Sequence, residues 1–431
     1  MNITNKFYQF FKVTTFLTAG AVLAACGGGS SSSGSDDTGG TDPGPGPGTD
    51  PAICTQEVNG VNWDALLTED CSKLSHYNLF ADAADPTSGP NSGGIPYDMS
   101  TPLFTDYATK YRFVYVPEGE VATYSEHEVM EFPVGSVLVK TFSMPADTAN
   151  RGENETNIET RLLIHRADGW VARPYYWDSA TDASHMVTGK IIADVTITHK
   201  GEPLTFDYGI PQQNQCTNCH AVVPIIQGSE DKRRAIFKPI GPKARFLNDD
   251  YDYADGTENQ LTHWERAGIL TGAPADKASI VSAPIFKDTT DITVLDPADL
   301  DVMARGYLDI NCAHCHRREL TIAEPNYSGP AGDSGLTVEF NRDIDDAPSK
   351  FGVCKTAVAG GWPADESGYN QYPRDVIPEH ADRSYLLYRM NTNDGRHKMP
   401  ELGRASIHTE GVELVRAWIN GLPTNNCGLT L

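Results

Sequence analysis

The chain has 431 residues, which is enough for two or three compact units with buried cores. Hydrophobic residues make up 39% of it and charged residues 21%, as in an ordinary globular protein. The formal net charge of −24 argues against nucleic acid as a partner, because that would need a basic face. An acidic surface suits a basic protein partner instead.

The N-terminus has the features of an export signal. Lys6 and Lys12 accompany an apolar run, residues 13–22, that is too short to span a bilayer. Small residues stand directly before Cys26, and this resembles the lipobox of bacterial lipoproteins, in which the cysteine becomes the acylated first residue. We therefore expect residues 1–25 to be a signal peptide and Cys26 to carry lipid. An ordinary secretory signal is the alternative.

Residues 26–52 are predicted to form a lipidated tether. Beyond Cys26 they are mostly Gly, Ser, Asp, Thr and Pro, so they have too little apolar surface to build a core. Gly27 after the cysteine resembles lipoproteins that are sent to the outer membrane. The expected location is therefore a lipid anchor in the outer membrane, with the protein on the periplasmic side or at the cell surface.

The region 53–210 is predicted to contain an antiparallel β-domain at about residues 95–210. Runs at 111–116 and 137–142 are rich in β-branched and aromatic residues. Asp168-Gly169, between two further runs of this kind, indicates a hairpin with a tight turn. A second hairpin is predicted later in the same region.

Two Cys-x-x-Cys-His runs follow, and we call residues 216–220 the first motif and residues 312–316 the second motif. Two cysteines about one helical turn apart place both sulfurs where they can bond the vinyl groups of one haem, and the next histidine supplies the proximal nitrogen to iron. The alternative is a zinc or redox cysteine pair, which would need further ligands. We expect two covalently bound haem c groups. The predicted attachment residues are Cys216, Cys219, Cys312 and Cys315, and the predicted iron ligands are His220 and His316.

The surroundings of the second motif predict a complete coordination of iron. A helix with proline in its first turn is predicted from residue 296 towards Cys312, and another helix at about residues 409–420. Between them, Met399 precedes a proline in a loop that resembles the one carrying the distal methionine in class I cytochromes c. Met399 is therefore the predicted sixth ligand, with His397 as a rival and a plain core methionine as the other alternative. His314, inside the motif, is interpreted as a bystander.

The sixth ligand at the first motif stays open. Met144, which also precedes a proline, and His263 on a predicted short helix are the two leading candidates. The further candidates are Met130, Met186 and His185. A position without any protein ligand is the remaining possibility, and it would allow a small molecule to bind the iron.

Nine cysteines are present. One would carry lipid and four would hold haem, so an even number remains in an oxidising compartment. We expect disulfides between Cys54 and Cys71 and between Cys354 and Cys427, although spacing alone does not fix the connectivity.

Three stretches, residues 304–316, 386–390 and 399–403, resemble a module that is common in exported bacterial dihaem proteins. With residues 241–248 and the predicted helix at 259–261, they make the chain from about residue 95 to 425 similar to a family of dihaem c-type cytochrome lipoproteins known mainly from marine proteobacteria. The resemblance implies cofactors and location but names no substrate.

The expected fold class is α+β multidomain, with an N-terminal antiparallel β-domain followed by mostly helical cytochrome c-like haem domains. These would be a first haem-binding region at residues 211–292 and a class I-like cytochrome c domain at residues 293–431.

The leading functional hypothesis is electron transfer between a redox partner, such as a dehydrogenase or another cytochrome, and further carriers. One alternative is a haem enzyme, either a dihaem peroxidase or a small-molecule oxidoreductase, that uses the first haem. The other is a ligand-binding β-domain with the haems as redox reporters. Its candidate sugar platform consists of Trp170, Tyr175, Tyr176 and Trp177.

Overall fold

A six-stranded antiparallel sheet organises the first half of the protein. The computed structural model describes residues 50–224, 235–318, 327–358 and 370–430. In chain order the strands are β1 (Phe80–Asp82), β2 (Asp85–Pro90), β3 (Gly94–Pro96), β4 (Thr109–Tyr115), β5 (Ala122–Thr123), β6 (Val137–Pro145), β7 (Glu155–Arg166), β8 (Gly169–Tyr176), β9 (Ser184–His185), β10 (Lys190–His199), β11 (Glu202–Ile210), β12 (Ala221–Pro224), β13 (Ile236–Phe237), β14 (Asp250–Tyr253), β15 (Gly256–Asn259), β16 (Leu270–Thr271) and β17 (Tyr327–Ser328). The large sheet has the order β3-β4-β6-β7-β8-β9.

Alternation along the strands gives this sheet two buried faces. On β6, Val137 and Val139 point into one core, whereas Leu138 and Phe142 belong to two cores on the opposite face. The first of these cores also contains the Cys54–Cys71 disulfide. The opposite face is the one that matters for the two motifs, because the later part of the chain packs against it.

Both predicted hairpins are present. In the first, β7 and β8 pair from Glu159 opposite Tyr176 to Arg166 opposite Gly169. Gly169 has a φ of 122°, which favours glycine, so the turn forms where the Asp-Gly pair indicated it. In the second, β10 and β11 pair as a separate two-stranded ribbon.

The helices of the described residues are short. They are α1 (Trp63–Thr68), α2 (Thr217–His220), α3 (Ala244–Leu247), α4 (Gln260–Arg266), α5 (Pro297–Leu308), α6 (Tyr385–Met390) and α7 (Thr409–Gly421). The Asp296 side chain caps the start of α5 by accepting from two backbone N–H groups. The α5 and α7 helices share one hydrophobic core, and the Trp418 indole donates to Asp301 at 2.8 Å across their interface.

The expectation of mostly helical haem domains is wrong. The protein is 23% helical and 28% strand, with seven short helices among the described residues, so its architecture is mainly β-sheets. After the first motif the chain forms small sheets and turns, such as the three-stranded sheet β13-β12-β17. Pro239, Pro242, Pro274 and Pro284 interrupt this part of the chain, and a proline cannot continue a helix because it lacks the backbone donor.

The described residues belong to one compact unit, which runs from Gly48 to Leu431. Disulfides join Cys54 to Cys71 and Cys354 to Cys427, the two pairings that the sequence favoured. Cys26 and the predicted signal peptide lie outside the described residues. Within the described ranges, no helix combines the length and the apolar character needed to cross a membrane.

Candidate functional site

The second motif is formed where α5 ends. The helix continues into one wider π-helical turn, Asp309–Ala313, and the backbone N–H groups of Cys315 and His316 then both donate to the Cys312 carbonyl. Cys312 and Cys315 are three residues apart in the sequence, and because this turn is helical they lie on the same side of it. Neither cysteine is in a disulfide.

The first motif is formed by an equally short turn. A 3-10 turn at Gln213–Cys216 leads directly into α2, and the N–H of Ala221 donates back to the Thr217 carbonyl. Cys216 and Cys219 are also free thiols. Both motifs therefore present two sulfurs and one histidine from one helical turn, the geometry that attachment of a haem requires.

The two histidines are neutral and oriented. His220 Nδ1 donates to the Lys238 carbonyl at 2.7 Å, and this leaves Nε2 with its lone pair. His316 Nδ1 lies 3.1 Å from the Ser334 hydroxyl. Burial lowers the pKa of each histidine to about 4, so both rings are uncharged at neutral pH. A neutral imidazole with a free Nε2 is suited to bind iron.

A cavity of about 590 Å³ separates the second motif from the C-terminal elements. This volume is in the usual range for cofactor sites, and the walls are mostly apolar, as such sites require. The residues that line it include Cys219, Cys312, Cys315, His316, Tyr307, Leu386, Met390, Met399, Arg404 and Val412. The cavity, the free thiols and the oriented histidines fit a haem at the second motif.

The two motifs touch each other. The Cys315 thiol donates to the Asn218 carbonyl at 3.3 Å, and ligand atoms of Cys219, His314 and Cys315 lie within 4.8 Å of one another. A zinc site built from two Cys-x-x-Cys turns would use both sulfurs of each turn. Here each motif contributes one sulfur, and Cys216 and Cys312 stand outside the group. The group offers three ligands, one fewer than a closed structural zinc site uses.

Met399 lies at the cavity, and Arg404 holds its loop in place. The Arg404 guanidinium donates to the Met399 carbonyl at 2.9 Å and to four other backbone carbonyls, two at the end of α6 and two in the chain that follows it. The predicted rival, His397, is buried against the Tyr385 hydroxyl and is not among the residues lining the cavity. Arg404 could not be recognised from the sequence, because an arginine in a loop carries no signal of which carbonyls surround it.

The candidate sixth ligands of the first motif lie elsewhere. Met144 is buried in the core beside Phe142, and His263 pairs with Glu258 at 2.9 Å. Neither lines a cavity of about 30 Å³ that borders His220, whereas His314 does. His314 therefore faces the first motif rather than solvent. The remaining candidates lie in the core (Met130), at the edge of a core (Met186) or against Gln213 (His185).

The four aromatic residues of the candidate sugar platform do not share one surface. Tyr175 and Trp177 are buried in the core with Tyr77, whereas Trp170 stacks on His165 on the opposite face of β8. Lys190 lies over the Tyr176 ring at 4.1 Å.

A buried network of ion pairs flanks the second motif. Asp309 is 1% exposed and accepts from Lys243 Nζ at 2.9 Å and from Arg245 at 3.0 Å. Directly after the motif, Arg317 pairs with Glu128 at 2.5 Å. These contacts tie the end of α5 to the segment around α3 and to the loop before β6.

Asp288, His408 and Glu410 form another group whose ligand atoms lie within 4.8 Å of one another. Arg151 donates to Asp288 and Lys200 to Glu410, so the charges of both carboxylates are already balanced. We assign this group to stabilisation of the wall of the cavity, which His408 also lines.

Comparison with known proteins finds no match: no family model, no curated protein and no solved structure is similar to this chain.

Proposed function

We propose that the protein is an exported dihaem c-type cytochrome that transfers electrons between a redox partner and further carriers. Cys216 and Cys219 would hold one haem and Cys312 and Cys315 the other, with His220 and His316 as iron ligands. The observation that carries the proposal is that two Cys-x-x-Cys-His turns with free thiols and neutral histidines meet beside one apolar cavity.

The residues of the second site suit a stable redox centre. His316 is neutral and Met399 offers a thioether to the same cavity. A haem held by a histidine and a methionine cycles between ferric and ferrous iron, and the thioether raises its potential. The walls are mostly apolar, and Arg404 fixes the Met399 loop, so little has to move when the charge changes.

Contact between the motifs suits electron relay. Cys315 and Asn218 are in hydrogen-bond contact, so the two attachment sites adjoin directly. The net charge of −24 supports steering towards a basic partner, such as a dehydrogenase or another cytochrome. The predicted signal peptide and the lipobox-like sequence before Cys26 support export and a lipid anchor at the outer membrane.

The test is the haem content of the exported protein. We expect a mass increase of two haems in the wild type and of one haem in either double variant, Cys216→Ser with Cys219→Ser or Cys312→Ser with Cys315→Ser. The control is Cys54→Ser with Cys71→Ser, which should keep both haems because that pair forms a disulfide.

A redox titration completes this experiment. Two one-electron steps, and reduction of a basic acceptor that slows as salt is added, support electron transfer. Bound zinc without haem would overturn the proposal. A five-coordinate, high-spin iron at the first motif together with turnover of peroxide would replace it by the enzyme alternative.

A further inference from the structure

A row of like charges crosses the large sheet on the face that the first motif covers. Arg112 on β4 stands directly opposite Lys140 on β6, and Lys140 stands directly opposite Arg161 on β7. Lys110 lies on the same face of β4, two residues before Arg112. We call these four residues the cation row. Like charges directly opposite each other destabilise a sheet, so the row needs a physical reason.

The acidic residues nearby balance only half of the row. Arg112 pairs with Asp98, and Arg161 forms two hydrogen bonds to the fully buried Glu159, at 2.6 and 2.8 Å. Lys140, by contrast, has no ion-pair or hydrogen-bond partner in the described part of the chain. Lys110 donates only to the backbone carbonyl of Ala108 among the described residues.

Lys140 is held in surroundings that do not suit an isolated ammonium group. Its nitrogen lies 4.8 Å from the centre of the Phe142 ring, and the Arg161 guanidinium lies 4.4 Å from the same ring. Burial, with the charges of Arg161 and Arg112, lowers the pKa of Lys140 to about 7. A buried cation is tolerated when an anion balances it.

An anion that balances Lys140 would have to lie next to the row, and the first motif packs against a neighbouring strand of the same sheet. The turn Gln213–Cys216 and strand β13 both pack on β8, next to the row. Strand β8 pairs directly with β7, where Arg161 stands opposite Pro174. The first motif therefore adjoins the part of the sheet that carries Arg161.

We propose that Lys140, with Arg161 beside it, binds the propionate carboxylates of the haem attached at Cys216 and Cys219. The inference rests on the proposed function. A haem brings two carboxylates, which are the acceptors that an unpaired ammonium and a guanidinium bind best. These carboxylates would balance the surplus charge of the row and fix the orientation of the haem against the sheet.

The first experiment is a redox titration of the two-haem protein with Lys140→Met. We expect the midpoint potential of one haem to fall and that of the other to stay unchanged, because a nearby cation favours the reduced state. Lys140→Arg keeps the charge and should restore most of the potential. The control is Lys190→Met, an exposed lysine on β10, which should change neither potential.

The second experiment compares unfolding by urea with and without the first haem. In the two-haem protein, Lys140→Met should lower the urea midpoint. In the variant with Cys216→Ser and Cys219→Ser, Lys140→Met should raise the urea midpoint, because without the first haem the substitution removes only the repulsion between like charges of the row. If the serine variant does not fold, the titration carries the test alone.

The outcomes separate this inference from the proposed function. A protein without two haems contradicts the function itself. Two haems with potentials that Lys140→Met leaves unchanged overturn only the propionate site. Inorganic phosphate that raises the urea midpoint of the two-haem wild type but not of Lys140→Met would show a site for a free anion, and this also overturns the propionate assignment.

Discussion

At the level of single residues, Met399 and Met390 offer a direct comparison, because both thioethers line the same cavity. Met399 sits in the loop that Arg404 holds, whereas Met390 ends α6 within the hydrophobic core and is 8% exposed. Shortening the two side chains to alanine should therefore have different effects.

Met399→Ala should lower the midpoint potential of one haem and abolish the absorption that a sulfur-to-iron bond gives the ferric protein, because it removes the proposed ligand but little core packing. Met390→Ala should keep that absorption but lower the free energy of unfolding by about 2–5 kcal/mol, the usual cost of a buried Met→Ala change. Optical spectra and urea unfolding of both variants check this. Loss of the absorption in Met390→Ala alone would assign the ligand to Met390.

At the level of elements, the contact between α5 and the α3 region depends on Asp309. Its carboxylate accepts from Lys243 and Arg245, and both of these partners are buried. Asp309→Asn leaves two buried cations without an anion, so we expect a loss of about 3–5 kcal/mol in the free energy of unfolding. Asp299→Asn, an exposed change on the same helix, should stay within about 0.5 kcal/mol of the wild type. Equal urea midpoints for the two variants would contradict the role of the network.

The Asp309 carboxylate also makes the free energy of unfolding depend on pH. Burial alone would raise the pKa of Asp309, but the charges of Lys243 and Arg245 lower it to about 2, from 3.8 for a free aspartate. Because the folded pKa is the lower one, the stabilisation is fully present above pH 3.8 and is lost as the pH falls towards 2. The difference in stability between wild type and Asp309→Asn should therefore shrink over that interval in a pH series of urea unfolding. A difference that stays constant would mean that folding leaves the pKa of Asp309 unchanged.

Local signals in the sequence predicted local structure well. The turn at Asp168-Gly169 and the Asp296 cap of α5 depend on residues close to one another in the chain, so the hairpin and the helix start could be placed from the sequence. The cation row depends instead on the register of β4, β6 and β7, which no single strand reveals. The Arg404 contacts likewise depend on how one loop closes on itself.

The error in fold class has a related cause. Each motif needs only one helical turn, as α2 shows, so two Cys-x-x-Cys-His motifs do not imply two helical domains. The six-stranded sheet, rather than a bundle of helices, provides the wall behind the first motif. The length of chain that a motif needs is therefore a better basis for predicting the fold class than the fold in which the motif usually occurs.

At the level of the whole molecule, two disulfides close chain segments of very different length. Cys354–Cys427 spans 73 residues and encloses Met399, Arg404 and α7, whereas Cys54–Cys71 spans 17 residues beside the large sheet. If a disulfide acts mainly by restricting the unfolded chain, the long bridge contributes about 4 kcal/mol and the short one about 3 kcal/mol. The two therefore differ more in what they enclose than in the stability they provide.

Replacing both cysteines of the long bridge by serine should lower the urea midpoint and also weaken the hold on Met399, because the closed segment carries the ligand loop. We expect part of the ferric protein to become high-spin in the variant Cys354→Ser with Cys427→Ser. The matched variant, Cys54→Ser with Cys71→Ser, should lose a similar amount of stability with no change of spin state. Optical and EPR spectra below the unfolding transition, recorded with urea unfolding, check both statements. No spin change in the long-bridge variant would show that Arg404 holds the Met399 loop without help from the disulfide. A spin change in the short-bridge variant would show that the effect does not depend on enclosing Met399.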